Sequence, residues 1–416
     1  MAAEQPKTEL AKNVRNHRRI RGWSQERLAE ESAVSIQTIR KIEQGGDVRT
    51  DTLHQVAQGL GVKTAELFVP DSPTPVVGDE ASRRSLVDLR KALMPPVGLE
   101  APVVLAAEPV DVSGLYQRIE DVHALYWADR YDSVARQLPS LLKSTEAAAA
   151  VADGEQDRHD AIRARTFSLL LAGKYLTQVR QYDLAYHALA ESIRLARENG
   201  QTLTAGTGIV GMCWLLLRQD RFDESEALAL QTAEALEPRM SSAKPSELAV
   251  WGELWLRVAS ATVRNNRPDD AVEARRMAGT AASALGQERN SFPNHWGGFG
   301  PVTAEMKVVE DLALDGDARA VLRRADEGVL GGKALKALGK PTAPNWGRHR
   351  LDVAQAHVRL GSHQDAMSEL AGLRESNGAW LKHQPLARYV MSDVLSSRKR
   401  TLTTEMRNMA SYLGVF

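Results

Sequence analysis

The sequence predicts an all-α protein in which a small domain of short helices precedes a long array of helical hairpins. Two observations lead to this prediction. Between Trp23 and Gly45, aliphatic residues recur at helical spacing, and two serines stand where they can cap helices. From about Leu115 onward, the chain repeats a pattern of helix end, short polar turn and helix start.

Composition limits the class of protein. A chain of 416 residues is too long for one typical core, and 43% hydrophobic with 25% charged residues is ordinary for a globular protein. The sequence has neither an apolar run of about 18 residues nor an apolar N-terminal signal core, so we expect a cytoplasmic protein without a membrane partner. The single cysteine, Cys213, fits a reducing compartment, and the net charge of zero excludes a general polyanion binder.

A basic run lies near the N-terminus. The cations Lys12, Arg15, Arg18, Arg19 and Arg21 stand close together without an intervening acid. A solvated helix face is one explanation for such a run. Contact with phosphate groups is favoured here because the run lies next to the helical pair.

The helical pair can be read residue by residue. Ser24 is predicted to cap a helix that begins at Gln25, and Ser35 to cap one that begins at Ile36. The predicted buried face contains Leu28, Ala29, Ile39 and Ile42, and Ala33-Val34 forms the turn. The predicted exposed face of the second helix contains Ile36, Gln37, Arg40 and Lys41.

This arrangement resembles the helix-turn-helix of the phage repressor, Cro and Xre family over about residues 8–68. The matching features are the basic first helix, Ser-Gln-x-x-Leu-Ala from Ser24, Ile-x-x-Ile-Glu up to Glu43, Thr50 to Leu53, Leu60 to Val62, and Glu66 to Phe68. The resemblance implies a five-helix domain over residues 8–69 whose third helix enters the major groove of double-stranded DNA. A helical hairpin reused for protein contact is the alternative.

The resemblance also implies roles for individual side chains. The base contacts would come from Ser35, Ile36, Gln37, Arg40 and Lys41, with adenine suited to Gln37 and guanine to the cations. The phosphate contacts would come from Gln25, Arg15, Arg19, Gln44 and Arg49. Arg18 and Glu43 match a buried structural ion pair. Ala33 stands where the family often has a left-handed glycine, a departure that costs about 1 kcal/mol.

Residues 70–113 are predicted to be a linker with one short helix. Prolines and a glycine in PDSPTPVVGD mark its start, and Leu86, Leu89 and Leu93 form one apolar stripe in SRRSLVDLRKALMPP.

Residues 114–416 are predicted to form a helical solenoid. The turn anchors recur at about 40 to 50 residues and comprise Tyr131, Tyr182, Phe222, Pro268, Asp317 and Gln364. The repeat resembles tetratricopeptide repeats, although it is longer and more degenerate than their standard form.

The order of the parts resembles the actinobacterial regulators of this layout and, in architecture, the peptide-sensing quorum regulators called RRNPP. The resemblance implies a transcription regulator whose solenoid senses a peptide or small molecule. Because one domain of about 60 residues offers few base contacts, we expect a homodimer on a pseudo-palindromic operator, with the solenoid mediating dimerisation. One alternative is a constitutive DNA-binding protein whose solenoid recruits a partner protein. A second alternative is an enzyme regulated by DNA, although the sequence contains no active-site pattern that would support it.

Catalytic and metal motifs are missing from the sequence, so we expect no enzyme activity, no cofactor and no metal. None of the histidines forms HExxH, and the glycine clusters lack the spacing of a nucleotide-binding loop. Tryptophans in the solenoid suggest either core packing or a ligand surface with polar neighbours. The candidate effector-binding residues are Trp214, Trp251, Trp255, Asn290, Asn294, His295, Asn345 and Arg348.

Overall fold

The computed structural model describes residues 5–20, 23–46, 48–62, 64–67, 80–96, 98–99, 111–265, 267–290, 296–397 and 402–415. Within these ranges the secondary structure is helical, apart from one isolated bridge between Arg289 and Phe299. The predicted all-α fold is therefore confirmed. The chain forms two compact units, one of residues 1–77 with 357–416 and one of residues 78–356.

The helices follow one another in this order: α1 Gln5–Ile20, α2 Gln25–Glu31, α3 Ile36–Glu43, α4 Thr50–Gly59, α5 Glu80–Leu93, α6 Val112–Trp127, α7 Tyr131–Val151, α8 Glu155–Gln178, α9 Tyr182–Glu198, α10 Thr202–Leu217, α11 Phe222–Ala235, α12 Pro245–Arg264, α13 Pro268–Leu285, α14 Pro301–Leu314, α15 Ala318–Arg324, α16 Gly332–Leu338, α17 Ala343–Arg359, α18 His363–Lys382, α19 Pro385–Ser397 and α20 Thr404–Leu413. Two 3-10 helices, Thr64–Leu67 and Gly328–Leu330, complete the described elements.

The first unit contains a small domain built from α1 to α4 and the first 3-10 helix, which we call the reader. One core joins these elements and contains Val14, Leu28, Ala29, Ile39, Ile42, Leu53, Val56, Ala57, Leu60 and Leu67. The fifth predicted helix is a 3-10 helix over Thr64–Leu67. Asn13 fastens this helix to α1 by donating from Nδ2 to the Leu67 carbonyl at 3.2 Å.

The remaining part of the first unit consists of α18, α19 and α20, which pack on one another. Helix α1 of the reader also contacts α19 and α20. The helical backbone of α18 is interrupted at Asn377, where φ is −153° and ψ is 50°.

The second unit is an array of helical hairpins, which we call the helical array (α5 to α16 with α17 as far as residue 356). Consecutive helices contact each other from α6 to α13. The helices α6, α8, α10, α12 and α14 also contact the next member of that series, so they form one continuous row. The tetratricopeptide-like assignment of this array stays a prediction.

The turns of the array share one backbone geometry. Helices α7, α9, α11 and α13 begin at the first four of the six predicted anchors, Tyr131, Tyr182, Phe222 and Pro268. The residue two positions before three of these helices is left-handed, with φ of 59° at Asp129, 63° at Arg180 and 58° at Asp220. In the first turn, the N–H of Arg130 then donates to the carbonyl of Leu125 at 2.9 Å, a bond that closes the end of the preceding helix.

The later turns keep this geometry with glycine at the left-handed position. Gly316 and Gly361 have φ of 83° and 79°. The anchor Asp317 caps α15 by accepting the Ala320 N–H at 2.9 Å, so the helix begins one residue later. The pattern that repeats in the sequence therefore corresponds to a turn of constant geometry, whereas the helices between the turns differ in length.

The predicted short helix exists as α5, and its residues Leu89 and Leu93 are buried. It contacts α7 and α9, and His187 Nε2 lies 2.9 Å from the Leu93 carbonyl oxygen. Residues 70–79 and 100–110 of the predicted linker lie outside the described residues. The predicted domain boundaries stay a prediction, because compactness alone does not define a functional domain.

Among the helices of the described ranges, none is long and apolar enough to cross a membrane.

Candidate nucleic-acid interface

Two serine caps position the helices of the candidate DNA interface. Ser24 Oγ accepts the Arg27 N–H at 3.1 Å, and Ser35 Oγ accepts the Thr38 N–H at 3.1 Å. Helices α2 and α3 therefore begin where the sequence predicts. Between them the chain reverses at Ala33, whose φ of 51° lies in the left-handed region.

A buried ion pair joins α1 to α3. Arg18 donates from Nε to Glu43 Oε1 at 2.6 Å and from Nη2 to Glu43 Oε2 at 3.0 Å. Its Nη1 also donates to the Trp23 carbonyl at 2.8 Å. Arg18 is 9% exposed and Glu43 is 3% exposed, so water screens the pair little. This pair fixes the rotation of α3 about its axis.

That rotation leaves one face of α3 in solvent. Gln37, Arg40 and Lys41 are exposed on it, while Ile36 is partly buried against the reader core. Arg40 Nη2 lies 3.5 Å from Glu26 Oε1. The exposed Ser35 forms a hydrogen bond between its Oγ and Thr38 Oγ1 at 2.8 Å. The face thus presents an amide and two cations, which are groups that can read base edges in a major groove.

The candidate phosphate contacts lie in α1, at the start of α2, at the end of α3 and before α4. Gln25 Nε2 donates to Glu43 Oε2 at 2.8 Å, and Arg15 Nη2 donates to the Glu43 carbonyl at 2.6 Å. Gln44 and Arg49 are exposed. The side chain of Arg19 lies outside the described residues.

The reader also matches a known family. Residues 14–67 match the helix-turn-helix family model. The match begins at Val14 and ends at Leu67, two residues of the reader core. It supports a DNA-binding transcriptional regulator with an Xre-like helix-turn-helix. No match was found among the curated proteins or among the solved structures.

The structure brings four of the predicted effector-binding residues together in two pairs in the helical array, Trp214 with Arg348 and Trp251 with Trp255. Trp214 is partly buried, and Arg348 Cζ lies 5.5 Å from the centroid of its ring. Trp251 is 2% exposed and donates its indole N–H to the Ala233 carbonyl at 3.1 Å, which is the environment of a core residue. Trp255 meets Trp251 edge-on, with the ring centroids 6.1 Å apart.

The predicted asparagines stabilise backbone. Asn345 Nδ2 donates to the Gly297 carbonyl at 2.9 Å, and Asn290 Nδ2 donates to the Lys340 carbonyl at 3.0 Å. Their amides are therefore partly engaged within the chain. Asn294 and His295 lie outside the described residues.

A carboxylate that sequence reasoning missed holds the start of the WGGFG segment. Glu253 accepts the N–H of Gly297 at 2.9 Å and that of Trp296 at 3.2 Å. The rings of this segment fit against glycines, because a Cβ on Gly211 would lie 2.4 Å from Trp296 and one on Gly252 only 2.1 Å from Phe299. A glycine inside each of α10 and α12 was the available signal for this packing.

A buried lysine, Lys174, lies on α8 of the array and interacts electrostatically with Glu253. Lys174 Nζ lies 3.1 Å from His123 Nε2 and 4.2 Å from the centroid of the Trp127 ring. Burial lowers the pKa of Lys174 to about 7, although the charge of Glu253 acts in the opposite direction. Among the described residues, no group of three or more His, Cys, Asp or Glu side chains could hold a metal ion.

Proposed function

We propose that the protein regulates transcription by sequence-specific binding of double-stranded DNA through α3. The exposed face of α3 carries this proposal, because Gln37 and Lys41 extend from a helix whose opposite side is fixed in the reader core. Gln37 would pair with adenine, and Lys41 or Arg40 with guanine. Ser35 and Ile36 would complete the base contacts at the start of the helix.

Phosphate contacts would hold the reader in register on the duplex. Gln25 and Arg15 each donate to Glu43 in the structure, and their remaining donors would contact phosphate groups. Arg19, Gln44 and Arg49 would extend the same contact. Glu43 would keep its bidentate bond to Arg18 throughout, since that pair is buried.

We further propose that the protein acts as a homodimer on a pseudo-palindromic operator. One reader offers few base contacts, and two-fold symmetric proteins increase specificity with half-sites one helical turn or a multiple apart. In solution, light scattering should then give twice the chain mass of 45.6 kDa.

The helical array would sense an effector. Trp214 and Arg348 support this role, because the structure places an aromatic ring and a guanidinium group from distant segments side by side. A ligand bound there would change DNA affinity if it bound the DNA-bound and free states unequally.

Selection of fragmented genomic DNA by the full chain tests the proposed function. We expect enriched fragments that share an inverted repeat and bind at least about a thousandfold more tightly than random DNA. Enrichment without a shared sequence would contradict sequence-specific regulation. Enrichment of single half-sites by a monomer would contradict only the dimeric part.

A further inference from the structure

Four cationic side chains surround Trp214, and four different helices contribute to the group. Trp214 and Arg218 belong to the C-terminal end of α10, Arg257 to α12, Lys307 to α14 and Arg348 to α17. The distances to the Trp214 ring centroid are 5.4 Å from Arg218 Cζ, 4.9 Å from Arg257 Cζ, 5.7 Å from Lys307 Nζ and 5.5 Å from Arg348 Cζ. We call these five residues the Trp214 cation cluster.

Two of the carboxylates beside the cluster already have partners. Glu310 pairs with Lys307, and its Oε1 accepts from Arg264 Nη2 at 2.9 Å. Glu253 accepts two backbone N–H groups of the WGGFG segment.

A third carboxylate, Asp352, is buried, interacts with Arg348 and Lys307, and has no hydrogen-bond partner at Oδ2 among the described residues. Burial, followed by the charge of Glu310, raises the pKa of Asp352 to about 7, so its carboxylate offsets the cations only in part near neutral pH.

The guanidinium groups of the cluster, by contrast, have spare donors. In the described part of the chain, Arg218, Arg257 and Arg348 form no ion pair within 4.0 Å. Arg257 is 8% exposed, and its buried Nε has no hydrogen-bond partner among the described residues. The same holds for Nε and Nη2 of Arg218. A buried donor without a partner is destabilising, so a bound acceptor would be stabilising there.

The cations also repel one another. Burial, followed by the charge of Arg348, lowers the pKa of Arg218 to about 10. Burial lowers the pKa of Lys307 as well, and Arg257 adds to that effect although Glu310 opposes it. An anion at the cluster would offset both the repulsion and the loss of hydration.

We propose that the Trp214 cation cluster binds an oxyanion, namely the phosphate or carboxylate group of an effector. Guanidinium groups bind both groups through paired N–H donors, and three of them converge here. The proposal deepens the effector sensing proposed above and rests on it for its biological meaning. Binding of the ion can be measured without DNA, so the two ideas can fail separately.

Calorimetry on the full chain tests the site with inorganic phosphate, pyrophosphate and citrate, added at constant ionic strength against chloride. We expect at least one of these ions to bind. Arg348→Gln and Arg257→Gln should each raise its Kd at least about tenfold. Arg350→Gln is the matched control, because Arg350 lies on the same helix 5.8 Å from the Trp346 ring but is paired with Asp326 at 2.7 Å. This control should bind the ion with unchanged affinity.

The outcomes separate clearly. Tighter binding of phosphate or pyrophosphate identifies a phosphorylated effector, and tighter binding of citrate a carboxylate. The site is overturned if none of the ions binds, if Arg348→Gln binds as the wild type does, or if Lys41→Ala in the reader abolishes the binding. Because Arg348 is only partly buried, its variant decides the question if Arg257→Gln does not fold. An ion that binds at the cluster without changing DNA affinity supports the site and contradicts the proposed sensing.

Discussion

Glu43 on α3 accepts two hydrogen bonds from Arg18 on α1, at 2.6 Å and 3.0 Å. The same carboxylate accepts a third from Gln25 at 2.8 Å, so one acidic side chain links the first three helices of the reader. The orientation of the exposed face of α3 therefore depends on a residue that points away from that face.

Removal of Arg18 should destabilise the reader. Arg18→Ala leaves the Glu43 carboxylate buried without its main partner, and breaking a buried pair in this way costs about 3–5 kcal/mol. Arg27→Ala is the control, because Arg27 pairs with Glu31 at the surface and such pairs contribute about 0–1 kcal/mol. Urea unfolding of both variants measures the difference. Equal unfolding free energies would refute a structural role for the pair.

Replacement of Ala33 by glycine should stabilise the reader. The left-handed φ of 51° strains an alanine by about 1 kcal/mol, and glycine adopts it without a steric penalty. Ala33→Gly should therefore raise the free energy of unfolding by up to that amount. Ala29→Gly, within α2 and buried, should instead lower it. A loss of stability in Ala33→Gly would show that the turn is not strained.

The stability of the helical array should rise with pH in the alkaline range because of Lys174. Its folded pKa of about 7 lies below the ordinary 10.5, so between these values the unfolded chain binds the extra proton. The contribution of Lys174 to the free energy of unfolding therefore increases from about pH 7 to pH 10. Lys174→Met should flatten this pH dependence, and the variant should be more stable than the wild type near pH 7. Thermal unfolding of both proteins across this range measures the difference. Lys143→Met, at an exposed site on α7, should keep the wild-type slope.

Local signals predicted much of the fold. The caps at Ser24 and Ser35 and the anchors of the turns lie next to the residues that they act on, so they can be read from short stretches of sequence. The cation cluster could not be predicted in the same way. Only Trp214 and Arg348 of that cluster were predicted as effector contacts. The other three cations come close to both of these residues only when the helices pack, so no local spacing indicates them. The amphipathic pattern also could not distinguish the buried Trp251 from the partly buried Trp214.

Base reading by α3 is tested most directly by the ratio of affinities for the selected operator and for random DNA. Gln37→Ala and Lys41→Ala should each lower this ratio by an amount equivalent to about 1–3 kcal/mol, because each removes one side chain that we propose to read a base. Gln58→Ala, an exposed change on α4, should leave the ratio unchanged. We expect relaxed sequence preference in the two α3 variants, with retained binding to random DNA. Wild-type ratios in both α3 variants would contradict base reading by α3.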